Sequence, residues 1–181
     1  MEYKVCTLSP THNYFSQACT LYIEAFPKEE RRELEEWRNL FIEEPNFRGL
    51  AITLEGEFAG FITYWEIENF FYIEHLAIMK HQRSRGLGRL LIGSLLEKAK
   101  NTDCPIILEA EHPISPNAVR RLHFYEQLGI YPIDYAYLQP PYRSTDVSFP
   151  LLLLTQQPNV VSQHTEEYVN AIYRKVYKYP S

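Results

Sequence analysis

With 181 residues the chain is sized for one domain, or one domain with a small extension, and its 45% hydrophobic and 14% aromatic content supplies ample core material. A net charge of −5 disfavours a general polyanion-binding surface, so nucleic acid is not an expected partner. No apolar run approaches the ~20 residues of a membrane span, no signal peptide is visible, and Cys6, Cys19 and Cys104 lack metal or redox spacing, so a reducing cytoplasmic setting is expected.

In chain order, Tyr3 to Leu8 reads as a strand. Ser9-Pro10 then opens a helix with Phe15, Ala18, Tyr22 and Ala25 at helical spacing, ended by Pro27. A charged second helix is expected from about Glu29 to Ile42. Leu34, Trp37 and Phe41 form its buried stripe, and Glu29, Glu30, Arg31, Arg32, Glu33, Glu35 and Glu36 its solvated faces. Leu50 to Leu54 and Phe58 to Glu66 flank the hairpin signal Glu55-Gly56-Glu57. Phe70 to Met79 is nearly continuous in apolar character and is therefore expected to be central and buried on both faces.

That strand runs into Arg83-Ser84-Arg85-Gly86-Leu87-Gly88-Arg89 and an apolar helix from Leu87 to about Lys100. A strand, a basic glycine turn and a helix N-terminus together form an anion cradle: glycines allow close approach, the first helix N–H groups are unpaired, and the arginines add positive charge. The three-glycine dinucleotide pattern and the Gly-Lys-Ser/Thr of a phosphate-binding loop are both absent. From Lys80 to Lys100, Glu97 is the only acidic residue.

A strand from Ile106 to Glu111 follows. Then Ser115 to Gly129 reads as a helix with Ser115 as N-cap, Pro116 in the first turn, an apolar stripe of Ala118, Leu122, Tyr125 and Leu128, and Gly129 as left-handed terminator. Two closing strands are expected around Ile133 to Leu138 and Phe149 to Thr155, with Gln139 to Arg143 as a stiff insert between them. His164 to Tyr179 reads as one further helix, aligned on Tyr168, Ile172 and Val176.

The segment Arg83 to Gly88 resembles motif A of the Gcn5-related N-acetyltransferases (GNAT superfamily), and Asn117-x-x-x-Arg121-x-x-Phe124-Tyr125-x-x-x-Gly129 looks like their motif B. The resemblance covers roughly residues 48 to 154. It implies the GNAT fold, an α/β arrangement with a central mixed, mostly antiparallel sheet flanked by helices. Here residues 1–160 would form the domain, and residues 161–181 an extra helical extension packed on that domain or joining two subunits as a homodimer.

It also implies acetyl-CoA as cosubstrate, held by the backbones of Ala77 and Ile78, by Arg83, Arg85, Gly86, Leu87, Gly88 and Arg89, and by Asn117. Tyr125 would protonate the leaving thiolate. Glu74 falls where several family members place a cleft-facing base, and burial would raise its pKa towards the range of a general base; the alternative is that Glu74 pairs with a neighbouring arginine or binds the acceptor's ammonium. Strand alternation sends His75 to the opposite face, as a hydrogen-bonded core residue. The acceptor pocket would involve the loop with Phe26, Glu30 and Arg31, together with Glu109, Glu111 and Tyr142, each with a solvated surface position as its alternative. The six histidines show no metal-ligand spacing, and no metal is expected.

The leading reading is transfer of an acetyl group to the primary amine of a small molecule by direct attack on the thioester. The alternatives are a protein terminus or lysine as acceptor, or a non-catalytic acyl-CoA-binding regulatory module.

Overall fold

The computed structural model describes residues 2–180. Its eight strands form a mostly antiparallel sheet in the order β1-β2-β3-β4-β5-β8-β6, with β7 paired to β8. The chain divides into two compact units: residues up to Glu66 with Ile73–Lys98, and Ile67–Tyr72 with the residues from Ala99 onward.

In the first unit, β1 (Tyr3–Leu8) is an edge strand whose one buried side chain is Leu8. It pairs antiparallel with β2 (Phe47–Leu54), and β2 pairs with β3 (Glu57–Ile67). Between β2 and β3, Glu55 and Gly56 stand at φ 50° and 80°. Such a doubly left-handed turn twists in the sense that a hairpin needs, and glycine adopts it without penalty. The next strand, β4 (Phe70–Ile78), is shared between the units. At Gly60 a side chain would meet Ala77 O at 2.5 Å and Ile78 Cδ1 at 2.6 Å, so only glycine lets β3 approach β4 there.

The helices differ from expectation in their starts. Ser9-Pro10 lies in a turn closed by His12 N–H donating to Ser9 O, and α1 begins only at Phe15 (Phe15–Ala25). The charged run does not continue a helix from Glu29. Lys28–Glu30 is one 3₁₀ turn, Arg31 and Glu33 are extended, and α2 is Leu34–Glu43. Of its expected stripe Trp37 is fully buried, while Leu34 and Phe41 are half-buried. Trp37 stacks on Tyr22 at 4.3 Å and on Phe15 at 5.9 Å, and Phe41 meets it edge-on at 5.0 Å. Aromatic contacts of this kind add to the burial of large rings, and truncating Trp37 would cost ~3–5 kcal/mol. After the turn at residues 79–86, α3 (Leu87–Thr102) buries Leu87, Leu91, Ile92, Leu95 and Ala99 along one stripe.

In the second unit, β5 (Ile106–Ala110) pairs antiparallel with β8 (Phe149–Thr155). The expected N-cap of α4 (Pro116–Glu126) is present: Ser115 Oγ accepts from Ala118 N–H at 3.1 Å. Gly129, at φ 75°, closes the C-terminus, where Ile130 N–H donates to Tyr125 O and Gly129 N–H to Glu126 O.

The single strand expected around Ile133 to Leu138 is instead two short ones, β6 (Tyr131–Pro132) and β7 (Tyr137–Gln139), at opposite ends of β8. Pro132 has no N–H to continue the ladder. The helix expected from His164 to Tyr179 is likewise divided into α5 (Pro158–Gln163) and α6 (Thr165–Lys175). Its apolar stripe packs inside its own unit: Tyr168 meets Phe70 edge-on at 5.1 Å, and Ile172, Val176 and Tyr177 are buried. No helix among the described residues is long and apolar enough to cross a membrane.

Candidate active site

The strand-to-helix junction has the geometry its sequence suggests. Ser84 and Gly86 both take positive φ, 64° and 78°, which curls the chain immediately before α3. The first helical bond runs from Leu90 N–H to Gly86 O, so the N–H groups of residues 87–89 precede the ladder. Beyond its chain neighbours, no atom of the described residues lies within 4 Å of a Cβ built on Gly86, leaving room for a ligand at the backbone. Arg83, Arg85 and Arg89 are exposed, and Arg83 Nε donates to Ile78 O at 3.2 Å, which folds the turn back on the end of β4. Leu87 anchors the helix in the core and Gly88 is half-buried. Ala77 is buried and Ile78 half-buried.

Along β4 the expectation of burial on both faces holds only for Phe70 to Ile73. Beyond it Glu74, Leu76 and Ile78 are half-exposed while His75 and Ala77 are buried, so one face opens. The Glu74 side chain is nevertheless wholly enclosed, at 0% exposure, and only its main chain reaches the surface. Oε1 accepts from Arg32 Nη2 at 2.9 Å and Oε2 from Trp65 Nε1 at 2.7 Å. With one donor on each oxygen, the carboxylate sits in an ion pair as well as a hydrogen bond to the indole. The alternative of a neighbouring arginine applies, and the arginine is Arg32.

Arg32 also corrects the reading of the charged run as a solvated face, since it is 9% exposed. Its own N–H donates to Tyr22 Oη at 2.9 Å. Burial raises the Tyr22 pKa, and the charge of Glu74 adds to the rise, so the phenol stays neutral. His75 is the core histidine that alternation requires: its Nε2 donates to Glu30 O at 3.1 Å, and its ring lies edge-on to Phe26 and Tyr22. Burial lowers its pKa, the Glu74 charge only partly offsetting this, and the imidazole is held neutral. Arg31 Nε donates to Phe26 O at 3.1 Å. Phe26, Glu30 and Arg31 are thus brought together in one loop, each half-buried.

In the second unit Glu109 departs from its solvated alternative. Its carboxylate accepts from Tyr137 Oη, from Gln139 Nε2 at 2.6 Å and from Tyr177 Oη at 2.8 Å, and Tyr72 Oη adds a further donor. Burial raises its pKa, opposed by these four hydrogen bonds. Glu111, by contrast, is exposed in an ion pair with Arg121 at 2.9 Å. Tyr142 is half-buried with its ring 5.1 Å from Tyr177. On α4, Asn117 is exposed with its side-chain oxygen bonded to Arg120. Tyr125 is 8% exposed; burial raises its pKa, and the charge of Arg121 partly opposes the rise.

Sequence reading missed Arg32, Trp65, Tyr22, Gln139 and Tyr177. A charged run and an aromatic stripe carry no mark of partners this far away in the chain, such as the 42 residues separating Arg32 from Glu74. Among the described residues no group of three or more His, Cys, Asp or Glu side chains is placed to hold a metal ion.

Comparison with known proteins agrees with this fold. A GNAT-family acetyltransferase from Bacteroides thetaiotaomicron superposes with a TM-score of 0.87 at 29% identity, covering 98% of this chain and 99% of that one. An aminoglycoside acetyltransferase from an uncultured soil metagenomic sample is 26% identical with a TM-score of 0.55, covering 71% and 91%. A GNAT acetyltransferase from Elizabethkingia anophelis, solved with acetyl-CoA bound, shares the fold at 13% identity and a TM-score of 0.57, covering 84% and 96%. No curated protein matches. The sequence model described as the Acetyltransferase (GNAT) family matches residues 12–130, the span that holds the cradle, β4, β5 and α4, and the chain belongs to that family.

Proposed function

We propose that this chain is an acetyl-CoA-dependent N-acetyltransferase acting on the primary amine of a small molecule. The observation that carries the reading is the cradle, where positive φ at Ser84 and Gly86 and the unobstructed space at Gly86 precede the N-terminus of α3. Paired left-handed residues before a helix present backbone N–H groups to an anion, and three exposed arginines supply charge for a pyrophosphate. Bound acetyl-CoA would supply the acetyl group as an activated thioester.

The chain's own contribution follows from its residues. Arg83, Arg85, Arg89 and the turn backbone hold the phosphates, Asn117 adds a contact by motif, and the ends of Ala77 and Ile78 orient the arm that leads to the thioester. Glu74 is anchored by Arg32 and Trp65 and does not take the amine proton itself; that proton passes to water. Tyr125, neutral because burial raises its pKa, donates a proton to the sulfur by the motif it belongs to. In the balance the amine nitrogen gains a bond to the acetyl carbon and loses one proton, the carbon–sulfur bond breaks, and the sulfur gains one proton. The small-molecule assignment draws on the 26% identical aminoglycoside acetyltransferase. Cytoplasmic action fits the same reading.

The test is release of free thiol from acetyl-CoA by the purified chain with a panel of aminoglycosides, polyamines, amino acids and peptides bearing free N-termini. Turnover with one or more of the small amines is expected. Turnover with peptides alone would assign a protein acceptor, and binding of acetyl-CoA without turnover on any amine would assign a non-catalytic module.

A further inference from the structure

The loop from Phe26 to Glu33 has little apolar burial to hold it. Pro27, Lys28, Glu29 and Glu33 are exposed, and Phe26, Glu30 and Arg31 are half-buried. Apart from one 3₁₀ turn its backbone is extended, so it cannot rely on a helical ladder for order. Beyond the ring contacts of Phe26 with His75 and Tyr22, what fixes it is polar and directional. Arg32 reaches Glu74 on β4 with its guanidinium and Tyr22 on α1 with its N–H, while His75 on β4 donates to Glu30 O. Trp65 on β3 holds the second oxygen of Glu74 and so fixes the anchor itself. A buried ion pair adds little net stability over a well-packed apolar pair of the same volume, because desolvation offsets the Coulomb attraction. Its distinctive property is direction: one carboxylate oxygen, one guanidinium nitrogen, one loop position.

We propose that Arg32 is a positioning residue which fastens the Phe26–Glu33 loop to β4 through Glu74 and so presets the acceptor side before the amine arrives. This rests on the reading of the loop as part of the acceptor site. Arg32 lies outside the cradle, and its loss leaves the binding of acetyl-CoA intact. It acts only by letting the loop leave its place, so that the amine binds a loop that is in position for a fraction of the time and its apparent affinity falls by that fraction.

The variants are Arg32→Lys, which keeps the charge and loses the planar fork, and Arg32→Met combined with Glu74→Leu, which replaces the pair by apolar groups so that no charge is left buried alone. Three quantities are read on each folded variant: amide hydrogen exchange across residues 26–33, calorimetric affinity for acetyl-CoA, and steady-state kinetics with an amine that the parent acetylates. The expected result is faster exchange confined to the loop, unchanged acetyl-CoA affinity, and kcat/KM for the amine down by ~10²-fold mainly through KM in the double variant, with Arg32→Lys intermediate. Parent-like exchange in the folded double variant would overturn the proposal, as would a fall in kcat with the amine KM unchanged. If the parent acetylates no amine in the panel, the acceptor reading fails, and the exchange measurement alone still decides whether Arg32 fastens the loop.

Discussion

Two carboxylates on β4 and β5, Glu74 and Glu109, are enclosed by opposite means. Glu74 in the first unit is matched by a full positive charge from Arg32 and one indole N–H from Trp65. Glu109 in the second is surrounded by neutral donors, three phenols and an amide, with no ion pair to a cation among the described residues. A charge balanced by one partner is brittle, because removing either member strands the other. A charge shared over four dipoles loses only a fraction of its support with each deletion. The difference teaches which of the two carboxylates tolerates loss of a partner.

The largest expected effect is on the brittle side. Glu74→Gln leaves the Arg32 guanidinium buried without its anion, and stability should fall by ~3–5 kcal/mol in urea unfolding, whereas Tyr177→Phe, deleting one of four donors to Glu109, should cost ~1 kcal/mol. Equal losses would erase the contrast. This also means that lost turnover in Glu74→Gln bears on mechanism only when the protein is shown to remain folded.

The next effect sharpens the division of labour. Tyr125→Phe removes a phenol on which none of the described hydrogen bonds falls, so melting temperature and acetyl-CoA affinity should hold while kcat drops on the order of 10²-fold. A folded and fully active variant would leave water as the proton source. The converse is expected in the first unit. Arg85→Ala should weaken acetyl-CoA by ~10-fold as one charge-assisted phosphate contact is lost, and Gly86→Ala should add strain at φ 78°. Calorimetry reads both, and parent-like affinity in the pair would remove the cradle from the site.

The smallest effect is on pH dependence, where the two units should pull in opposite senses. Glu109 has its folded pKa raised above 4.5, so the native state binds its proton more tightly than the unfolded chain does; stability from this group falls as pH rises from 4.5 through the raised value and is flat above it. His75 has its folded pKa lowered below 6.5, so the native state binds its proton less tightly, and stability is lost as pH falls through 6.5 towards the lowered value. Urea unfolding across this range should lose the first slope in Glu109→Gln and the second in His75→Gln. A single slope common to parent and both variants would refute the assignment.

Much of the fold was legible because its signals are local. The hairpin at Glu55-Gly56 and the caps at Ser115 and Gly129 each follow from a few adjacent residues, and the structure has them. The cradle at Arg83 to Arg89 could be read for the same reason, since its chemistry needs only a strand, a turn and a helix start in sequence. Helix starts were less legible. Phe15 opens α1 instead of Ser9 because a local turn closed by His12 N–H on Ser9 O comes first, and Leu34 opens α2 instead of Glu29 because Arg32 and Glu30 are held by partners on β4 that periodicity cannot register.

By itself, then, the sequence determined the order of most elements, the glycine turn that leads into α3 and the parity that turns His75 away from Glu74, all of which depend on spacing along one segment. Tertiary structure decided the state of the charges. A buried carboxylate reads the same whether it will meet an arginine 42 residues before it, as Glu74 does, or a tyrosine 68 residues after it, as Glu109 does. Electrostatic energy is set by distance and desolvation in space, and neither is encoded in the local run of residues. For that reason Arg32 read as one more solvated charge, and only the folded chain shows it closing the loop onto β4.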